Sequence, residues 1–121
     1  MTIEVNERNS CRYTGQLKDQ TGTALPLAAL TTVTLTLYDV ATGSIIGGLD
    51  HASILNAGRG TVSAGGLLTI DFEPADNQLV GTPAAGLSER HIAEIEWTWN
   101  SGAGRGSKDV LIVVKQLAKT S

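Results

Sequence analysis

Glu89-Arg-His-Ile-Ala-Glu-Ile-Glu-Trp-Thr-Trp-Asn100 runs into a Gly/Ser-rich segment, 101–107, and continues through Lys108-Asp-Val-Leu-Ile-Val-Val-Lys115. Ala93, Ile95, Trp97 and Trp99 share one parity, while Glu94, Glu96 and Thr98 take the other. A period of two is that of a strand with one face buried. The run Val110-Leu-Ile-Val-Val114 is β-branched and too short for an ordinary helix. Two strands joined by seven residues with three glycines predict a long antiparallel hairpin. Both tryptophans of the chain lie on its first arm, so the core is expected to form against them, with both indoles buried.

Outward from this hairpin the same period recurs. In 31–38, Val33, Leu35 and Leu37 alternate with Thr32, Thr34, Thr36 and Tyr38. Threonine suits a wet strand face because it is β-branched yet polar. In 11–18, Cys11, Tyr13, Gly15 and Leu17 alternate with Arg12, Thr14, Gln16 and Lys18. In 67–72, Leu68, Ile70 and Phe72 face inward, and 44–47 and 61–64 read as shorter strands. Turns are expected at 19–22 and 39–43, and loops at 50–60 and 82–88. Pro26 disfavours a central strand in 25–30, which reads as an apolar crossover. Pro74 opens a single helical turn that Gly81 closes. The expected fold is all-β, an antiparallel two-sheet sandwich of about seven strands with Ig-like topology. A jelly roll or small barrel is the alternative. One domain, 11–118, follows an N-terminal arm, 1–10, and precedes a short tail, 119–121. In the arm, Ile3 and Val5 alternate with Thr2, Glu4 and Asn6. It reads as an edge strand, a frayed terminus, or a segment that pairs with a neighbouring chain.

The chain has 121 residues, enough for one domain to bury most of its unfolded surface. Charged residues make up 17%, below the roughly 25% of an ordinary soluble domain. Either other protein covers part of the surface, or the surface is compact and rich in Thr, Ser and Gly. The net charge is −3 with no basic run, which argues against sequence-independent nucleic-acid binding. Cys11 is the single cysteine and has no partner for an internal disulfide; it reads as a small buried hydrophobe. With no apolar leader and no run near 18 apolar residues, the chain reads as cytoplasmically made and not membrane-spanning.

No constellation in the sequence points to catalysis, a cofactor or a metal. His51 and His91 are the only histidines, without the spacing of a zinc site, and both read as surface residues. Asp71, Glu73 and Asp76 lack the dense pattern of a calcium loop and read as a solvated strand end. Ser88, His91 and Asp109 form a trio on paper only, with no nucleophile-elbow motif. The alternating glycines of 101–107 lack the helix that a phosphate loop feeds, so they read as a hairpin tip, with Arg105 placed to anchor a partner surface. Glu94 and Glu96 share the outer face of one strand and are not opposed across a cleft.

The last strand breaks the pattern. Val110, Ile112 and Val114 satisfy the core face, which leaves Leu111 and Val113 on the other. Apolar residues on both faces point to a strand covered twice, or to an interface. Leu111 and Val113, with Ile3, Val5 and Arg105, are therefore the expected protein-contact residues.

The segments Tyr13-Thr-Gly-Gln-Leu-Lys-Asp-Gln-Thr-Gly22, Leu30-Thr-Thr-Val-Thr-Leu-Thr-Leu-Tyr-Asp39, Arg90-His-Ile-Ala-Glu-Ile-Glu-Trp-Thr-Trp99 and Lys108-Asp-Val-Leu-Ile-Val-Val114 together resemble small Ig-like structural proteins of tailed-bacteriophage virions. The first two also resemble the N-terminal β-sandwich module of phage baseplate upper proteins. The resemblance spans about residues 11–117 and transfers no catalytic motif. It implies a non-enzymatic virion component at the neck, tail, baseplate or capsid surface. Copies of itself and other virion proteins would be its partners, in a symmetric homo-oligomer. No fibre or receptor-binding region follows the sandwich within this sequence, which favours a stand-alone neck, tail or decoration subunit over a baseplate organiser. The competing class is a carbohydrate- or receptor-binding β-sandwich. Such sites expose aromatics, and aromatics here are 4% with both tryptophans at inward parity.

Overall fold

The computed structural model describes residues 2–80 and 88–115. Most of the loop expected at 82–88 and the tail expected at 119–121 lie outside the described residues. Eight strands are present: β1 (Thr2–Asn6), β2 (Cys11–Gln16), β3 (Leu30–Asp39), β4 (Ala52–Ser53), β5 (Gly60–Val62), β6 (Leu67–Phe72), β7 (Ser88–Trp99) and β8 (Gly104–Lys115). They form a five-stranded sheet in the order β1-β8-β7-β3-β4 and a three-stranded sheet in the order β2-β6-β5. All pairings are antiparallel except β1 with β8, which run parallel.

The strand order fits an Ig-like sandwich. Strands β3, β7 and β8 stand where C, F and G stand, and β2, β6 and β5 where B, E and D stand. The short β4 supplies the extra strand beside C. The first strand departs from the constant-domain pattern by lying against the last strand instead of beside B. The segment expected as an arm is therefore part of the large sheet. Its Ile3 and Val5 pair in register with Ile112 and Val114, on the core-facing parity of β8. The strand expected at 44–47 reduces to one bridge, Ile45 to Tyr38, because Gly47 and Gly48 take positive φ and turn the chain away.

The alternations read from the sequence set the core. Val33, Leu35 and Leu37 of β3, Leu68, Ile70 and Phe72 of β6, and Val110, Ile112 and Val114 of β8 are all buried, as are Ala93 and Ile95 of β7. Ile46, Leu49 and Ile54, from the connection between β3 and β5, join the same cluster.

Trp97 and Trp99 are buried, and the Trp97 indole Nε1 donates to the Lys18 carbonyl at 3.0 Å. Their seats explain the alternating glycines. Gly104 pairs with Trp99 and Gly106 with Trp97 across the β7–β8 ladder. A Cβ on Gly106 would lie 2.6 Å from the Trp97 ring, and one on Gly104 would collide with the Trp99 ring. The hairpin tip is consequently shorter than the sequence suggested: Asn100–Gly102 forms a 3-10 turn, and β8 begins at Gly104. Tyr13 repeats the device on the small sheet, its ring folded over Gly15. Glycine within a strand marks a close approach, and at Gly15, Gly104 and Gly106 the approach is by an aromatic ring.

Candidate functional site

The inner face of the five-stranded sheet packs on the small sheet. Among the described residues no further strand or helix covers its outer face. Strand parity loads that face with Thr32 and Thr34 from β3, Glu94, Glu96 and Thr98 from β7, and Arg105, Ser107 and Asp109 from β8. Near the loop end of the hairpin it is polar and tied: Arg105 donates to Glu96 at 2.6 Å, and Thr32 and Thr98 share a hydrogen bond at 2.7 Å. The Arg105 bond and charge, with a lesser contribution from His51, hold the Glu96 carboxyl below its usual range.

At the other end the face turns apolar. Leu111 pairs with Ile92, Ile92 with Tyr38, and Tyr38 with Ile45, so four residues form one row across neighbouring strands. At about 4.8 Å per strand the row spans roughly 14 Å. Val113 lies two residues along β8 from Leu111 on the same face. Leu111, Ile92, Tyr38 and Val113 are half-buried, and Ile45 is 43% exposed.

Of the five expected contact residues, the structure brings Leu111 and Val113 together on this face. Ile3 and Val5 instead point to the core of their own chain, where Val5 is buried and Ile3 packs at the margin. Arg105 is on the outer face but six residues from Leu111, roughly 20 Å along the strand. Sequence reasoning missed Ile92, Tyr38 and Ile45. Ile92 carried a visible signal, an aliphatic among Glu94, Glu96 and Thr98 at outward parity.

A second cluster lies on the inner face, at the same end of the hairpin. Glu89 and His91 share inward parity on β7, and Asp39 of β3 is the direct register partner of His91. His91 was expected at the surface; it is fully buried, as is Asp39 at 1% exposure. His91 Nε2 lies 2.6 Å from Glu89 Oε1 and 4.0 Å from Asp39 Oδ1. Glu89 Oε1 also accepts from the Val80 amide at 2.6 Å, and Asp39 Oδ2 accepts from the Thr42 amide and hydroxyl at 3.0 and 2.8 Å.

The remaining candidates do not assemble. Asp71, Glu73 and Asp76 are each engaged by arginines: Asp71 pairs with Arg12 at 2.6 Å, while Arg59 holds Asp76 through two bonds at 2.7 and 2.9 Å and lies 3.4 Å from Glu73. Asp76 is fully buried, a correction to the solvated strand end expected there. Ser88, His91 and Asp109 do not meet either, since His91 faces the core while Asp109 pairs with the outward Glu94. His51 is exposed, 2.8 Å from Asp50 and 3.6 Å from Glu96. Cys11 is half-buried; burial pushes its thiol above the ordinary value, against the smaller effect of an Asn77 hydrogen bond. A raised thiol is a poor nucleophile at neutral pH. Four of the five aromatic residues, Tyr13, Phe72, Trp97 and Trp99, are buried, leaving Tyr38 as the one ring partly available for stacking on a sugar.

Comparison with known proteins finds no matching family model, no matching curated protein and no matching solved structure.

Proposed function

We propose that this chain is a non-enzymatic structural subunit of a tailed-bacteriophage virion, assembling through the uncovered face of its five-stranded sheet. The observation that carries the reading is the apolar row Leu111–Ile92–Tyr38–Ile45, with Val113 beside it, on a face that a two-layer sandwich would otherwise give to water. Fully burying an aliphatic side chain yields roughly 1.5–3 kcal/mol, and these residues have realised only part of that. A contact that covers them gains the remainder, once per copy. The low charge fraction and the resemblance of the strand phrases to those of phage Ig-like proteins support the same reading, with copies of itself and other virion proteins as partners.

The test is the double substitution Leu111→Ser with Val113→Ser. Thermal stability of the isolated chain should fall only slightly, while self-association by light scattering and incorporation into particles should be lost. A large stability loss with association intact would place these residues in the chain's own core and remove the basis of the proposal.

A further inference from the structure

The inner cluster at the open end of the hairpin follows from strand parity. Period two puts Glu89 and His91 on the core face of β7, and the antiparallel register sets Asp39 opposite His91. One nitrogen and two carboxylate oxygens from these residues lie within 4.8 Å of one another. The environment is dry: Asp39 and His91 are buried, and the Glu89 side chain is 9% exposed. Two atoms of the cluster are unaccounted for: His91 Nδ1, buried without a hydrogen-bond partner among the described residues, and Asp39 Oδ1. Asp39 Oδ1 is buried, has no hydrogen-bond partner among the described residues, and lies nearest in charge to His91 Nε2, 4.0 Å away. An ionised oxygen held this way inside a protein is costly unless a cation neutralises it.

We propose that Asp39, Glu89 and His91 form a binding site for a divalent first-row cation of the zinc type. The donor set is one imidazole nitrogen and two carboxylate oxygens, which suits zinc better than the all-oxygen preference of calcium or magnesium. Two carboxylates and a dication sum to neutrality, which suits a buried site. Tetrahedral zinc at 2.0–2.2 Å from its ligands needs those ligands roughly 3.3–3.5 Å apart. The Glu89 and Asp39 oxygens, 2.6 and 4.0 Å from Nε2, bracket that spacing, so small side-chain rotations suffice. Each ligand is already fixed by its own structure: Glu89 by the Val80 amide, and Asp39 by Thr42 in the turn that follows β3. Placed between β3 and β7, the ion would clamp two neighbouring inner strands of the large sheet. Zinc bound to the folded form but not the unfolded one raises the melting temperature.

The experiment takes the full chain, strips it with EDTA and titrates it with zinc chloride by calorimetry and by thermal melting. One equivalent should bind, with a clear rise in Tm. Asp39→Asn and Glu89→Gln keep the shape and the amide-accepting oxygen, so they should fold, and each should weaken zinc binding at least about tenfold to a hundredfold. His51→Ala, which removes the exposed histidine, should bind zinc as the parent does. A second readout is the His91 tautomer by imidazole nitrogen NMR. If Nε2 donates to Glu89 in the ion-free chain, zinc on Nε2 moves the proton to Nδ1, which has no hydrogen-bond partner among the described residues. Absence of saturable binding, binding unchanged in both Asp39→Asn and Glu89→Gln, or loss of binding in His51→Ala alone would each overturn the site.

Discussion

The two ends of the β7–β8 hairpin obey opposite rules. At the loop end the inner face carries Trp97 and Trp99, seated on Gly106 and Gly104, and the outer face carries Glu96 paired to Arg105. At the open end the inner face of β7 is polar, with Glu89 and His91 facing Asp39 beside the apolar Ile112 and Val114 of β8, and the outer face carries Ile92, Leu111 and Val113. β7 thus runs from an ordinary half-buried strand to an inverted one, while β8 becomes apolar on both faces. Proteins tend to break local rules where function requires it. The loop end builds the sandwich, and the open end carries both proposed sites.

If that division is right, the loop end should dominate stability. Trp97→Ala should cost about 3–5 kcal/mol, the usual range for emptying a large aromatic site, and urea unfolding would measure it. A loss below about 1 kcal/mol would mean that the indole is not part of the core, and the comparison would collapse. The glycines test the same end from the other side. Gly106→Ala places a methyl 2.6 Å from the Trp97 ring and should cost about 1–3 kcal/mol by overpacking. Tryptophan emission should shift to the red as the ring is displaced. Unchanged stability and emission would mean that the ring does not rest on the glycine. At the open end, Ile92→Thr keeps a β-branched residue on the outer face and should change stability by no more than about 1 kcal/mol. Self-association should fall with it.

How much of this was legible depended on whether the deciding contact was local. Parity alone located the buried faces of β3, β6, β7 and β8, because a strand's own sequence records which side is dry. Glycines 102, 104 and 106 read as a loop because flexibility is their local meaning. That two of them are seats for tryptophans is a cross-strand fact, visible only once Trp97 is set opposite Gly106 and Trp99 opposite Gly104. The His91 cluster was hidden in the same way. Asp39 continues the inward parity of Val33, Leu35 and Leu37, and Glu89 and His91 continue that of Ala93 and Ile95, but each alone looks like a strand-end polar residue. The first residues read as an arm because two aliphatics in a polar stretch are too few to fold alone. Pairing with β8 supplies the missing half of their core.

The smallest effect concerns how the outer face of the loop end is held. The Arg105 hydrogen bond and charge depress the Glu96 carboxyl, so its folded form binds a proton less readily than its unfolded form. A depressed carboxyl contributes stability above its unfolded value, near 4.3, and loses it as pH falls through the lower folded value. Arg105→Gln should therefore lower stability at pH 7 and make no difference in acid below the lowered folded value, where Glu96 is protonated in both states. The Arg105 side chain is 73% exposed, so solvent screens the pair and the difference at pH 7 should stay below about 1 kcal/mol. It should shrink further in high salt. Urea unfolding of parent and variant at pH 7 and in acid decides the matter. A gap that persists in acid would mean that Arg105 stabilises β7 through the packing of its aliphatic stem, and the loop end would then be held by apolar contact on both of its faces.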